Sequence, residues 1–213
     1  MSPAKLQFSS KELELAANTD WILTKNQIVR KVIDHFAEIA GLYQSAVARS
    51  PTRFPEKILT LPYKISKGEN YLGLPWVMLD YPRLFEKENI FAIRTLFWWG
   101  NFFSITLHLS GSWKKVLESS IIRNLDILRQ NYFSLSINPD PWVHHFSENN
   151  YCYLPDTDNR NAIEVIKSLS HIKLARNYPV RQPEALREGL EKEFKLLLKI
   201  CEEINYPAGE KDL

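Results

Sequence analysis

Residues 90–111 read "IFAIRTLFWWGNFFSITLHLSG", the most apolar and aromatic stretch of the chain, with Arg94 and His108 inside it. Its length invites a membrane span, but a charged residue near its start and the turn dipeptide Gly100-Asn101 at its centre both oppose insertion. Two apolar runs flanking Gly-Asn read instead as a β-hairpin.

Two registers compete. A three-residue loop, Trp99-Gly100-Asn101, pairs Phe97 with Phe103, Thr95 with Ile105, Ile93 with Leu107 and Phe91 with Leu109, so one face is almost wholly apolar. A two-residue loop would set Phe97 against Ser104 and Ile93 against His108, mixing polar and apolar groups on both faces. Side chains alternate with period two, so a one-residue slip destroys the segregation, and burial selects the three-residue register. The second face then carries Ala92, Arg94, Leu96 and Trp98 against His108, Thr106, Ser104 and Phe102.

That second face has two readings. It lines a pocket, with Arg94 binding an anion or carboxylate beside Thr106, His108 exchanging a proton, and Trp98 and Phe102 as flat apolar walls. Alternatively, helices cover it, Arg94 pairs with a structural carboxylate, and His108 is a satisfied strand residue.

Outward from the hairpin, Ile28, Val32, Phe36, Ile39, Tyr43 and Val47 recur at three- and four-residue intervals and predict a helix from Thr24 to about Ala48, with Thr24 and Gln27 at capping-box spacing and Ser50-Pro51 as its stop. "KILTLPYKIS" and "LGLPWVMLD" read as strands, the first at a sheet edge because Pro62 cannot donate to a ladder. "YPRLFEKEN" reads as a turn or short helix. From Ser112, Trp113, Leu117, Ile121, Leu125 and Leu128 form one helical stripe, with Lys114, Glu118 and Arg129 off it. "YFSLSIN" and "HIKLARNYPV" are further strand candidates. Between them lie the loop 138–160 and a helix from about Asn161; a last helix begins near Pro183, with Leu186, Leu190, Phe194, Leu197, Cys201 and Ile204 on one stripe. Strands grouped centrally, without βαβ alternation, predict an α+β fold: a mostly antiparallel sheet with a central hairpin at about 90–110, packed by several helices.

The 213 residues suit a single domain spanning 1–213, with the N-terminal ~20 and the C-terminal ~8 residues peripheral. With 27 basic and 25 acidic residues scattered along the chain, no stripe of the kind nucleic acid requires is visible. The two cysteines, Cys152 and Cys201, are far apart, which predicts neither a disulfide framework nor a paired-cysteine metal site. "MSPAKLQFSSKELELAANTD" turns polar where a secretory signal would show its apolar core, so a cytoplasmic protein without membrane or nucleic-acid partners is expected.

The loop 138–160, "NPDPWVHHFSENNYCYLPDTDNR", is long for a compact domain, and such loops commonly bind something. Its His144-His145 pair is the strongest histidine signal, yet adjacent residues diverge on strand and helix alike, so no metal site and no cofactor is expected. Asp80 and Arg83 in "LDYPRLF" are either functional loop residues or a turn in which Asp80 caps backbone amides. Phosphate-loop, dinucleotide, nucleophile-elbow and zinc-helix motifs are absent from the sequence.

"GENYLGLPWVMLDYPRLF" and "ENIFAIRTLFWWGNFFSITLHLSG" resemble a family of uncharacterised bacterial proteins of similar length. The resemblance implies a bacterial cytoplasmic protein and carries no activity or site residues. Two function classes remain. The first is a non-catalytic domain that binds a small anionic or aromatic ligand, or a second subunit of a homo-oligomer, through Arg94, His108, Trp98, Phe102, Thr106, His144 and His145. The second is an enzyme whose site is assembled from Arg94, His108 and the 138–160 loop, with a histidine as general base and catalytic residues otherwise unknown.

Overall fold

The computed structural model of the chain describes residues 6–50 and 54–202. Its elements are α1 (Ser10–Ala17), α2 (Thr19–Arg49), α3 (Glu56–Leu59), β1 (Lys64–Tyr71), β2 (Leu74–Phe85), β3 (Ile90–Trp98) and β4 (Phe102–Ser110). There follow α4 (Ser112–Arg123), α5 (Leu125–Gln130), β5 (Ser134–Ser136), β6 (Tyr151–Tyr153), α6 (Asn159–Ser168), β7 (His171–Pro179) and α7 (Leu186–Glu202). The seven strands form one antiparallel sheet in the order β1-β2-β3-β4-β7-β5-β6, so the fold is α+β. No helix among the described residues is long and apolar enough to cross a membrane.

The β3–β4 hairpin adopts the three-residue register, pairing Phe97 with Phe103, Ile93 with Leu107 and Arg94 with Thr106. Gly100 takes a positive φ of 72° at the turn, which glycine reaches without a steric cost. The dry face holds Phe91, Ile93, Phe97, Ile105, Leu107 and Leu109, all buried in the main core. A register slip would forfeit roughly 1.5–3 kcal/mol for each of these side chains, which is why burial overrides any local preference of the turn.

Helices α2, α4 and α7 lie on that face. Helix α2 starts earlier than its apolar stripe: Asn18 caps it, its Oδ1 accepting from the Trp21 amide at 3.1 Å, so Thr24 is interior. The buried stripe runs Val29, Val32, Phe36, Ile39, Tyr43 and Val47, with Ile28 exposed. The expected stripe of Trp113, Leu117, Ile121, Leu125 and Leu128 is buried across α4 and α5. Lys114, placed off that stripe by the sequence, is buried too: its Nζ donates to the Lys167 and Leu169 carbonyls while its stem packs inside. On α7, Leu186, Leu190, Phe194, Leu197 and Cys201 are buried, whereas Ile204 lies outside the described residues. Helix α1 buries none of its residues.

Three segments differ from their sequence reading. "KILTLPYKIS" splits into α3 and the start of β1, which is the edge strand but begins after Pro62. "YPRLF" continues β2: the Tyr81-Pro82 pair bulges opposite Ile93, and the ladder resumes with Arg83 opposite Ala92. Proline is tolerated there because a bulge asks no ladder hydrogen bond of it. The segment 138–160 contains β6 and the 3-10 turn Leu154–Asp156, and α6 is capped by Asp158 rather than starting at Asn161.

Between β4 and α4, Gly111 has φ 59° and ψ −130°, a region essentially confined to glycine. A Cβ there would stand 2.2 Å from Asn89 Oδ1, the acceptor for the Ser112 amide and hydroxyl, and 2.6 Å from the Glu88 carbonyl. Gly111→Ala is therefore expected to cost at least about 1–3 kcal/mol, read as a fall of roughly 4–10 °C in thermal denaturation. An unchanged midpoint would show that this junction relaxes freely.

Candidate functional site

Alternation along the central strands puts Trp76, Met78 and Asp80 of β2, Arg94, Leu96 and Trp98 of β3, Phe102, Ser104, Thr106 and His108 of β4, and His171 and Lys173 of β7 on the face away from the helices. What covers this face is neither open solvent nor helix. It is the segment 138–150, a strap that leaves the sheet at β5 and rejoins it at β6.

The strap is a compact loop closed at its base, where the Ile137 amide donates to the Asn150 carbonyl at 2.9 Å. Asn138 Oδ1 accepts from the Asp140 amide and Asp140 Oδ1 from the Trp142 amide, both at 2.8 Å, and these side chains set its turns. Buried Asn150 braces the interior, its Nδ2 donating to Ser147 Oγ at 2.8 Å and to the His145 carbonyl at 3.2 Å. Tyr71 of edge strand β1 ties the strap from the other side: its hydroxyl accepts from the His144 amide at 2.6 Å and lies 3.1 Å from His145 Nδ1. Lys173 rises from the sheet to donate its Nζ to the Val143 carbonyl.

Between strap and sheet is a cavity of about 280 Å³. Met78, Leu96 and Arg94 reach it from the sheet, Tyr71 and Trp76 from the β1–β2 hairpin, and Trp142 and His144 from the strap. Arg94 is held by Asp80, its partner across the β2–β3 ladder, with Nε to Oδ1 at 2.7 Å and Nη2 to Oδ2 at 3.4 Å. Its guanidinium sits 5.1 Å from the Phe85 ring and 5.7 Å from the Trp142 ring. The third nitrogen, Nη1, is buried and has no hydrogen-bond partner among the described residues. No family model and no curated protein matches this chain.

Of the residues singled out from the sequence, Arg94 and His144 meet at the cavity. Thr106 is buried beside Arg94 across the ladder. Trp98 and Phe102 do not wall the cavity: both are sealed in a satellite cluster with Met78 and Leu96, where Trp98 Nε1 donates to the Tyr71 carbonyl at 3.1 Å. His145 is taken up by Tyr71 at its Nδ1, while its Nε2 lies 2.5 Å from Asn150 Nδ2, which shares its two hydrogens among this nitrogen, Ser147 Oγ and the His145 carbonyl. His108 is fully buried, 5.4 Å from the Trp142 ring and 6.2 Å from the His171 ring, with both ring nitrogens unpartnered among the described residues. Burial first, then the Lys173 and Arg94 charges, push its pKa down to about 2, so it is neutral at any ordinary pH.

Asp80 and Arg83 do not act together: Asp80 serves Arg94, while Arg83 Nε donates to the Pro62 carbonyl at 2.9 Å. Among the described residues no group of three or more His, Cys, Asp or Glu is placed to hold a metal ion. Sequence reasoning passed over Asp80 as an Arg94 partner, Tyr71, Trp76, Trp142 and Lys173. Only Lys173 left a signal, since His171 and Lys173 alternate with Ile172 and Leu174 and so share one face once "HIKLARNYPV" is a strand. Its pKa is drawn down to about 7 by burial, with Arg94 adding to the fall.

Proposed function

We propose that the protein is a small-molecule binding domain whose ligand lies in the cavity between strap and sheet, with a flat apolar body against Trp76 and Trp142. The observation that carries this reading is the cavity itself: largely apolar, walled by aromatic rings, and closed by a strap whose other contacts are specific and numerous. Asp80 is occupied with Arg94 and both nitrogens of His108 are sealed, so an acid–base pair facing the cavity finds less support than binding does.

Trp142 provides the test. It is 49% exposed, so truncation costs the fold little, but it forms the cavity's outer wall. For Trp142→Ala, titration with naphthalene-2-methanol followed by calorimetry is expected to show at least a ~10-fold loss of affinity relative to the unaltered chain, with the melting temperature nearly unchanged. Equal affinity in the two proteins would place the binding elsewhere.

A further inference from the structure

Resting on the binding reading above, we propose that the ligand is an aromatic monocarboxylate whose carboxylate is seated on Arg94 Nη1. Arginine offers a planar fork of five N–H donors and is suited to planar carboxylates. Asp80 takes the Nε and Nη2 side of that fork and orients it, leaving Nη1 as a buried donor without an acceptor among the described residues. An unmade charged donor is costly where water is excluded, and a ligand oxygen removes that cost.

The charge count on this face agrees. Lys173 is a buried cation and Arg94 a largely buried one, its side chain 12% exposed, whereas Asp80 is the one buried carboxylate here among the described residues. Lys173 points its Nζ at the neutral Val143 carbonyl; with a pKa of about 7 and the exposed Asp140 carboxylate acting on it, it adds only part of a positive charge, and the face leans positive. The surrounding imidazoles register the same field: Lys173 and Arg94 both act, after burial, to hold the His108 and His144 pKa values down. A carboxylate matches that sign.

The walls select its shape. Trp76 and Trp142 offer flat surfaces, and Met78 and Leu96 an adaptable apolar floor. A tetrahedral phosphate dianion is ordinarily met by clustered backbone amides or several cations, whereas the cavity is lined by one arginine beside aromatic rings, its Nη1 covered in this structure. Trp142, which stands over the guanidinium with half its surface in water, is the wall that moves to admit the carboxylate to Nη1.

The experiment compares naphthalene-2-carboxylate with naphthalene-2-methanol by calorimetry on the full chain, and repeats both titrations on the double variant Asp80→Leu/Arg94→Met, which removes both charges of the pair together. In the unaltered protein the carboxylate is expected to bind at least about tenfold more tightly than the alcohol, and the double variant should lose that preference. Equal affinities in the unaltered protein, or a preference surviving in the double variant, would overturn the carboxylate assignment and leave the pocket standing. Failure of both probes to bind would overturn the pocket together with it. The comparison within the unaltered protein decides the matter even if the double variant does not fold.

Discussion

Replacing Asp80 with alanine should be among the most damaging single changes available to this chain. The expected cost is about 3–5 kcal/mol, because the substitution strands the Arg94 guanidinium inside the sheet–strap layer with its charge unpaired. Asp80→Leu combined with Arg94→Met is expected to recover most of the loss, since a buried ion pair replaced whole by apolar groups of similar size is often close to neutral. Urea denaturation of Asp80→Leu, Arg94→Met and the double variant measures the coupling. A small cost for Asp80→Ala would mean that Arg94 reaches water after all, and would weaken any role for it as a buried anion seat.

Acid should unfold the protein sharply. His108, with a pKa held at about 2, and His171, held at about 4, are both essentially sealed from solvent and neutral in the folded state, and burial also lowers His144. In the unfolded chain these rings take up protons near pH 6.5, so below that pH the unfolded state binds more protons and stability falls as pH falls. Between pH 6.5 and 4.5 the loss is roughly 2–3 kcal/mol for each fully sealed ring, and two together take away a large share of a typical folding free energy.

Lys173 extends the same trend upward. Its folded pKa is about 7 against 10.5 for the free side chain, so stability also rises from pH 7 towards pH 9, above which the buried Cys201 thiol, its pKa raised, opposes the rise. Burial raises the pKa of Tyr43, which reverses the slope above about pH 10, where only the unfolded chain gives up that proton. Urea midpoints across pH 4.5–9.5 test this. His108→Met should be no less stable than the unaltered chain at pH 8, since both ring nitrogens it removes lack partners, and should show a shallower acid loss. An identical acid slope in that variant would remove His108 from the explanation.

The parts of the fold legible in the sequence are those where one periodicity dominates. The hairpin register followed from the segregation of Phe91, Ile93, Phe97, Phe103, Ile105, Leu107 and Leu109 onto one face. The stripes of α2, α4 and α7 followed from three- and four-residue spacing. Boundaries failed where a side-chain oxygen set them: Asn18 and Asp158 cap their helices by accepting one amide hydrogen each, a contact that hydrophobic spacing does not encode. The β2 bulge failed for a related reason, because Pro82 in an apparent turn motif is equally at home opposite a single residue of a neighbouring strand.

The site was legible only as far as the hairpin. Arg94 and His108 could be placed on the second face, but their cover could not, since helices and a strap satisfy the same apolar demand. Tyr71, Trp142 and Lys173 meet there from three segments distant in sequence, and no spacing rule joins them. The reading of Asp80 as a cap failed because its partner, Arg94, stands directly opposite it on the neighbouring strand, beside the bulge.

The strap's two anchor strands have a kinetic consequence. β5 and β6 pair over three residues, and β5 holds β7 through two pairings, whereas β3 and β4 pair over nine. Local opening should therefore start at this margin, at a free-energy cost well below that of global unfolding. Amide hydrogens of Leu135, Cys152 and the strap should exchange with deuterium long before those of Ile93 or Leu107, and a bound ligand should slow the first group while leaving the second alone. The same margin is where a protease should first cut the folded chain.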